Sequence, residues 1–199
     1  GAGFINIFIN KNYISDEVEK VLKYNEEWGK KKLKKERVLV EFVSSNPTGP
    51  LHIGHARGAV LGNIISNLLS NQGYEVTKEY YVNDAGRQIN ILALSIMLET
   101  FQNNINKEGL YQGDYIKDLA KKFMAAKLVN EVNNPLEKFS DDPDERIDQL
   151  ISHYKNDSPE TWNLIRDFSV NEMIKLIKDD LSRMEILHDE WFYESSLGS

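Results

Sequence analysis

VLVEFVSSNPTGPLHIGHARGAVLG, residues Val38 to Gly62, holds a strand, a turn and a helix in immediate succession. Val38–Val43 is nearly continuous in β-branched and aromatic residues, the pattern of a parallel strand buried on both faces, with Glu41 as the exception. Ser44–Pro50 carries Asn46-Pro47 and Gly49-Pro50, dipeptides that turn a chain. The spacing then predicts a helix from about His55 to Asn71. Val60, Leu61, Ile64, Ile65, Leu68 and Leu69 form one apolar stripe on it. Ala56, Gly58, Ala59 and Gly62 permit close packing near its start, and Gly73 supplies the stop.

Toward the C-terminus the same alternation continues. Glu75–Val82 (EVTKEYYV) reads as a second strand and Asn83-Asp84-Ala85-Gly86 as a turn. Arg87–Phe101 reads as a helix with Ile89, Ala93, Ile96 and Met97 inward. Strand-helix-strand-helix with short connections predicts a parallel sheet in an α/β domain. Gln102–Gly113 is polar and reads as a loop, and Asp114–Val132 as a helix broken at Asn133-Asn134-Pro135. Asp141-Asp142-Pro143 and Ser158-Pro159 start two more helices, each with proline at its first position, the second running to about Glu185. Asp189–Tyr193 (DEWFY) reads as a strand. Residues 102–158 are thus expected to be a helical insertion in an α/β domain whose first half is 37–101, with 159–199 returning to the sheet.

On the N-terminal side, residues 1–14 (GAGFINIFINKNYI) carry β-formers and read as a short strand. One strand is not stable alone, and no partner for it is evident nearby, so the chain looks as if it starts inside a larger protein. Ser15 is the expected N-cap of a helix ending at Gly29, with Val18, Val21, Leu22 and Trp28 on one face. Lys30–Lys35 has five lysines in six residues, read either as a contact to RNA phosphates or as a solvated linker. Residues 1–36 are expected to be the end of a preceding domain plus this linker.

Composition narrows the class. A net charge of −7 is unlike that of a general nucleic-acid binder, although a specific RNA partner stays open. The absence of cysteine excludes disulfides and thiolate metal sites and fits a reducing, cytoplasmic setting. No apolar run approaches the roughly 20 residues of a membrane span, and GAGFINIFIN lacks the basic and long apolar regions of a signal peptide.

In open parallel sheets, ligands bind beyond the carboxyl ends of strands, and the turn Ser44–Gly54 occupies that position. A helix N-terminus favours phosphate, and Gly54 lets backbone approach a ligand. His52 and His55 can donate hydrogen bonds to phosphate oxygens, a contact that strengthens as charge develops in a transition state at an α-phosphate. Alternatively the two histidines cap the helix or pack in the core. They are not the paired helical zinc ligands of a metalloprotease, so no metal site is expected here. The chain also has no G-x-G-x-x-G and no G-x-x-x-x-G-K-[ST]. Glu41 needs a cationic partner if buried, and a protein cation such as Arg57 or Arg87 is one candidate. Asp84 is a candidate N-cap of the following helix.

His52-Ile53-Gly54-His55 resembles the signature tetrapeptide of class I aminoacyl-tRNA synthetases and related nucleotidyltransferases. The run from Val40 to Gly58 closely resembles that of bacterial-type arginyl-tRNA synthetases. Gly3-Phe4-Ile5-Asn6, Tyr80–Gln88, Tyr111–Ile116 and Trp191–Leu197 extend the resemblance over essentially the whole chain. It implies a Rossmann-like catalytic domain, first half, with a helical insertion. It also implies formation of arginyl-adenylate from ATP and arginine, then transfer to tRNA(Arg). By the same resemblance His52 and His55 are catalytic, and Thr48, Gly49, His52, Gly54 and His55 hold ATP. Ser44 and Asn46 position the arginine main-chain end, Glu41 takes its guanidinium, and Asp84 and Gln88 join that pocket. ATP with Mg2+ enters as substrate with no tightly bound cofactor, and the full-length protein is expected to be a monomer.

Asn63 departs from that family, which often has Asp there, and the lysine-containing KMSK-type loop does not occur in the sequence. The chain therefore reads as part of a longer synthetase, inactive alone. Two other readings stay open: a small single-domain nucleotidyltransferase such as a pantetheine-phosphate adenylyltransferase, and a non-catalytic RNA-binding or regulatory paralogue.

Overall fold

The computed structural model describes residues 3–101, 105–126 and 139–198. Three parallel strands form one sheet in the order β1-β2-β3: β1 Arg37–Glu41, β2 Glu75–Val82 and β3 Glu190–Tyr193. Helices α2 (Ile53–Asn71) and α3 (Arg87–Thr100) follow β1 and β2. Then come α4 (Asp114–Ala125), α5 (Pro143–Asp157) and the 25-residue α6 (Pro159–Arg183), which leads into β3. The expected α/β order, parallel sheet and helical insertion are all present. The end of the helix predicted over Asp114–Val132, its breaker Asn133-Asn134-Pro135, and part of the loop predicted over Gln102–Gly113 lie outside the described residues.

One face of the sheet makes the first core. Phe42, Tyr80 and Val82 pack against Ala59 of α2, Ile89 of α3 and Val170, Ile174, Ile177 and Leu181 of α6. Helix α2 reaches the sheet through its small residues. A Cβ on Gly62 would fall 2.2 Å from the Phe42 ring, so only glycine allows this approach. The apolar stripe of α2 instead lies uncovered by the described residues, with Leu61 and Leu68 each 59% exposed. Gly58 meets nothing within 4 Å, so its small size is not used for packing here. A second core surrounds α3, whose residues from Ile91 to Leu98 are nearly all buried under α4, α5 and α6.

Three expectations need correction. Residues 3–10 form no strand: the segment is exposed, and α1 begins at Lys11, not Ser15, with Asn10 capping it through the Asn12 N–H. High β-propensity cannot make a strand where no neighbouring strand accepts its hydrogen bonds. Strand β1 is not buried on both faces. Its exposure alternates, Leu39 is 58% exposed, and Glu41 is exposed at its end. Among the described residues β1 pairs only with β2 and Glu41 is exposed, so the premise that Glu41 is a buried acid needing a protein cation is not met. Glu41 makes no ion pair among the described residues, and Arg87 pairs instead with Asp144 and Asp148 of α5. Finally, Asp84 does not cap α3. The N-cap there is Gly86, with no side-chain cap bond.

Of the lysine run, Lys31 and Lys34 donate backbone N–H bonds to Asn71 and Gly73 at the end of α2. Among the described residues, no helix is long and apolar enough to cross a membrane.

Candidate active site

At the carboxyl end of β1 the backbone takes an unusual path. Val43 and Ser44 both have positive φ, 69° and 41°, a region that costs a β-branched residue in particular. The strain is held from β2. Tyr81 N–H donates to Ser44 Oγ at 3.1 Å, and Tyr80 Oη donates to the Ser45 carbonyl at 2.9 Å while lying 2.8 Å from Ser45 Oγ. This bend turns the chain off the sheet edge and into the Asn46–Pro50 turn, which Thr48 N–H closes onto the Asn46 carbonyl.

The turn ends at His52, the N-cap of α2. Gly54 N–H donates to His52 Nδ1 at 3.1 Å, and His52 N–H donates to His55 Nδ1 at 3.3 Å. The two rings stack with centroids 3.7 Å apart and planes 19° apart. The helix-capping alternative for these histidines is therefore realised, and it does not compete with the chemical one. An Nδ1 that accepts carries no proton, so in each neutral ring the proton sits on Nε2. Capping thus fixes both rings as Nε2–H donors at the mouth of a helix N-terminus. Burial, and then the neighbouring His52, lowers the His55 pKa below its ordinary value, which favours the neutral ring. Gly54 also leaves the cap undisturbed: a Cβ would stand 3.0 Å from the His52 ring atoms Cε1 and Nδ1, so the ring would have to shift.

Asn46 Nδ2 donates to Gln88 Oε1 at 2.6 Å. The first-strand turn and the start of α3 are thereby joined, and two residues expected in one pocket touch. Thr48 and Gly49 sit beside them, half-buried. Asp84 is placed differently. Its carboxylate accepts from Ser195 N–H at 2.9 Å and from Ser195 Oγ at 2.6 Å, and its carbonyl accepts from Arg166. Asp84 is buried and ties the β2–α3 turn to the 3-10 turn Glu194–Leu197. Asn63 accepts a hydrogen bond from Lys78 Nζ at 2.7 Å, so the amide has a structural partner on β2.

Glu41 pairs in register with Glu79, and Glu79 with Glu190, so three glutamates stand abreast across the sheet. The Glu79 carboxyl is pushed up, first by burial, then by Glu190 and Glu41. The row runs from the last residue of β1 through the middle of β2 to the first residue of β3, and like charges side by side favour a cation. The sequence reading missed Glu79 and Glu190; only the strand register reveals them. Among the described residues no group of three or more His, Cys, Asp or Glu side chains is placed to hold a metal ion.

The family model for the catalytic domain of class I (R) tRNA synthetases matches residues 17–199. An arginine–tRNA ligase from Vesicomyosocius okutanii is 39% identical over 206 residues, covering 99% of this chain and 36% of that protein. A crystal structure described as an arginyl-tRNA synthetase, from Campylobacter jejuni, superposes with TM-score 0.70 at 35% identity over 94% of this chain and 37% of its own. Thermus thermophilus arginyl-tRNA synthetase, at 21% identity and TM-score 0.53, shares the fold. The chain spans about a third of the length of the curated relatives it matches. With the strand-turn-helix, the paired histidines and the parallel sheet in place, the chain belongs to the class I (R) tRNA synthetase catalytic-domain family.

Proposed function

We propose that the chain is part of an arginine–tRNA ligase, which forms arginyl-adenylate from ATP and arginine and passes the arginyl group to tRNA(Arg). The observation that carries this is the reciprocal capping of His52 and His55, which presents two Nε2–H donors at the N-terminus of α2. ATP lies along the Thr48–Gly49 turn with its α-phosphate at these donors and at the positive end of the α2 dipole. An oxygen of the arginine carboxylate attacks the α-phosphorus, and the bond to pyrophosphate breaks. The His52 and His55 donors strengthen as charge builds on the non-bridging oxygens, and no side-chain nucleophile takes part. A terminal ribose hydroxyl of tRNA then attacks the activated carbonyl, and AMP leaves.

Asn46, locked to Gln88, and Ser44, locked to β2, orient the arginine main-chain end. Glu41, at the end of the glutamate row, takes the guanidinium, whose planar fork matches a carboxylate. Asp84 supports this pocket from behind, because both its oxygens are engaged by Ser195. Mg2+ arrives with the triphosphate, held by phosphate oxygens. The lack of cysteine supports a cytoplasmic setting, and the full-length protein is proposed to act as a monomer.

The test is ATP–pyrophosphate exchange by the full-length protein, run with each amino acid in turn, with and without tRNA. Exchange that depends on arginine alone is expected. Exchange with another amino acid, or with none, overturns the reading.

A further inference from the structure

The segment Tyr111-Gln112-Gly113-Asp114-Tyr115-Ile116 has no part in the chemistry derived above, yet it reaches the site. Tyr115 Oη donates to the Thr48 carbonyl at 3.2 Å, across 67 residues of sequence. The same phenol lies 3.7 Å from where a Cβ on Gly49 would stand, so it packs directly under the turn. Tyr115 is itself held firmly. It is the second residue of α4, whose N-cap Gly113 has φ +130°, a value that strains any side chain. Tyr111 N–H donates to Ser95 Oγ at 3.0 Å, which fixes the approach to α4 on the buried α3. Tyr111 and Tyr115 both pack on the second core.

We propose that Tyr115 is a positioning residue: through its hydroxyl the helical insertion sets the position of the Thr48–Gly49 turn against the first turn of α2. This rests on the reading that the turn takes ATP. The Thr48 carbonyl is a part-buried acceptor whose side-chain partner among the described residues is this phenol, at the long end of hydrogen-bond distance, and losing that partner frees the turn without disturbing α3. The insertion is then a support for the nucleotide site, not a separate module.

The experiment compares Tyr115→Phe and Tyr115→Leu with the unchanged full-length enzyme, with tRNA present. In Tyr115→Phe the KM for ATP in pyrophosphate exchange is expected to rise about three- to tenfold, the effect of one hydrogen bond, with the arginine KM moving less than about twofold. Hydrogen–deuterium exchange over residues 46–51 is expected to quicken, with α3 unchanged. Tyr115→Leu, which also loses the ring under Gly49, is expected to show a larger rise in the same direction. An unchanged ATP KM in Tyr115→Phe overturns the proposal. So does a parallel rise in both KM values, or loss of stability in Tyr115→Leu with a normal Tyr115→Phe. If the unchanged enzyme shows no arginine-dependent exchange, the functional reading fails, while the hydrogen–deuterium result still decides whether Tyr115 holds the turn.

Discussion

His52 and His55 each accept a backbone hydrogen bond on Nδ1, and their rings stack 3.7 Å apart. One arrangement therefore caps the helix and fixes the tautomer that a phosphate site needs. Replacing His55 with alanine in the full-length protein removes the proposed transition-state donor and half of the cap. The donor is worth on the order of 10²–10³ in rate, and the cap about 1 kcal/mol. The adenylation rate, read as arginine-dependent exchange with tRNA present, is expected to fall by about that factor. A near-normal rate would show that the ring is only a cap.

Gly54 and Gly62 separate chemistry from packing. Gly54→Ala pushes a methyl group against the His52 ring at 3.0 Å, a contact the ring must yield to. The expected result is a loss of exchange activity with the thermal midpoint nearly unchanged. Gly62→Ala drives a Cβ to 2.2 Å from the buried Phe42 ring, in a core that cannot give. Overpacking of this kind costs about 1–3 kcal/mol, so a lower unfolding midpoint is expected for that variant. Equal midpoints for the two would contradict the division.

Most of the architecture is legible in the sequence because it is local. Strand β2 matches the predicted Glu75–Val82, since turn residues bracket a β-rich run on both sides. The proline-started helices α5 and α6 begin at the residues their caps predict. What the sequence hides is decided at long range. The run around Phe4–Ile9 has strand composition, but pairing depends on a neighbour that composition does not specify. Glu41 looks buried because its neighbours are apolar, yet among the described residues β1 pairs on one side only and exposure alternates along it. The positive φ values at Val43 and Ser44 have no marker, since neither residue is glycine or asparagine. At the site, the two histidines are visible from spacing alone, whereas the contacts from Tyr80, Gln88 and Tyr115 span 35, 42 and 67 residues.

Glu41 tests the placement of the substrate side chain. Glu41→Gln keeps the shape and removes the charge that a guanidinium needs. The KM for arginine is expected to rise by about tenfold or more, in line with loss of a charged hydrogen-bond partner, and the KM for ATP to change little. Equal effects on both substrates would place Glu41 outside the arginine pocket.

The histidines also predict how stability depends on pH. His188 packs on Phe42 with ring centroids 4.3 Å apart and planes tilted by 33°, and its Nε2 lies 3.3 Å from the Phe42 carbonyl. Burial lowers its pKa below the ordinary value of 6.5, with Lys78 pushing the same way and the Phe42 carbonyl and Asp189 opposing. The pKa of His55 is lowered as well, first by burial. In both cases the unfolded chain takes up the proton before the folded one does. Stability from these groups is therefore complete above about pH 6.5 and falls as the pH drops below it, toward the lowered folded values. Raising the pH above 7 adds nothing from either ring. The unfolding midpoint of the full-length protein should decline between pH 7.5 and pH 5.5. The decline should be smaller in His188→Gln, which keeps a donor for the Phe42 carbonyl but does not titrate. An identical decline in the variant would remove His188 as a source of the acid sensitivity.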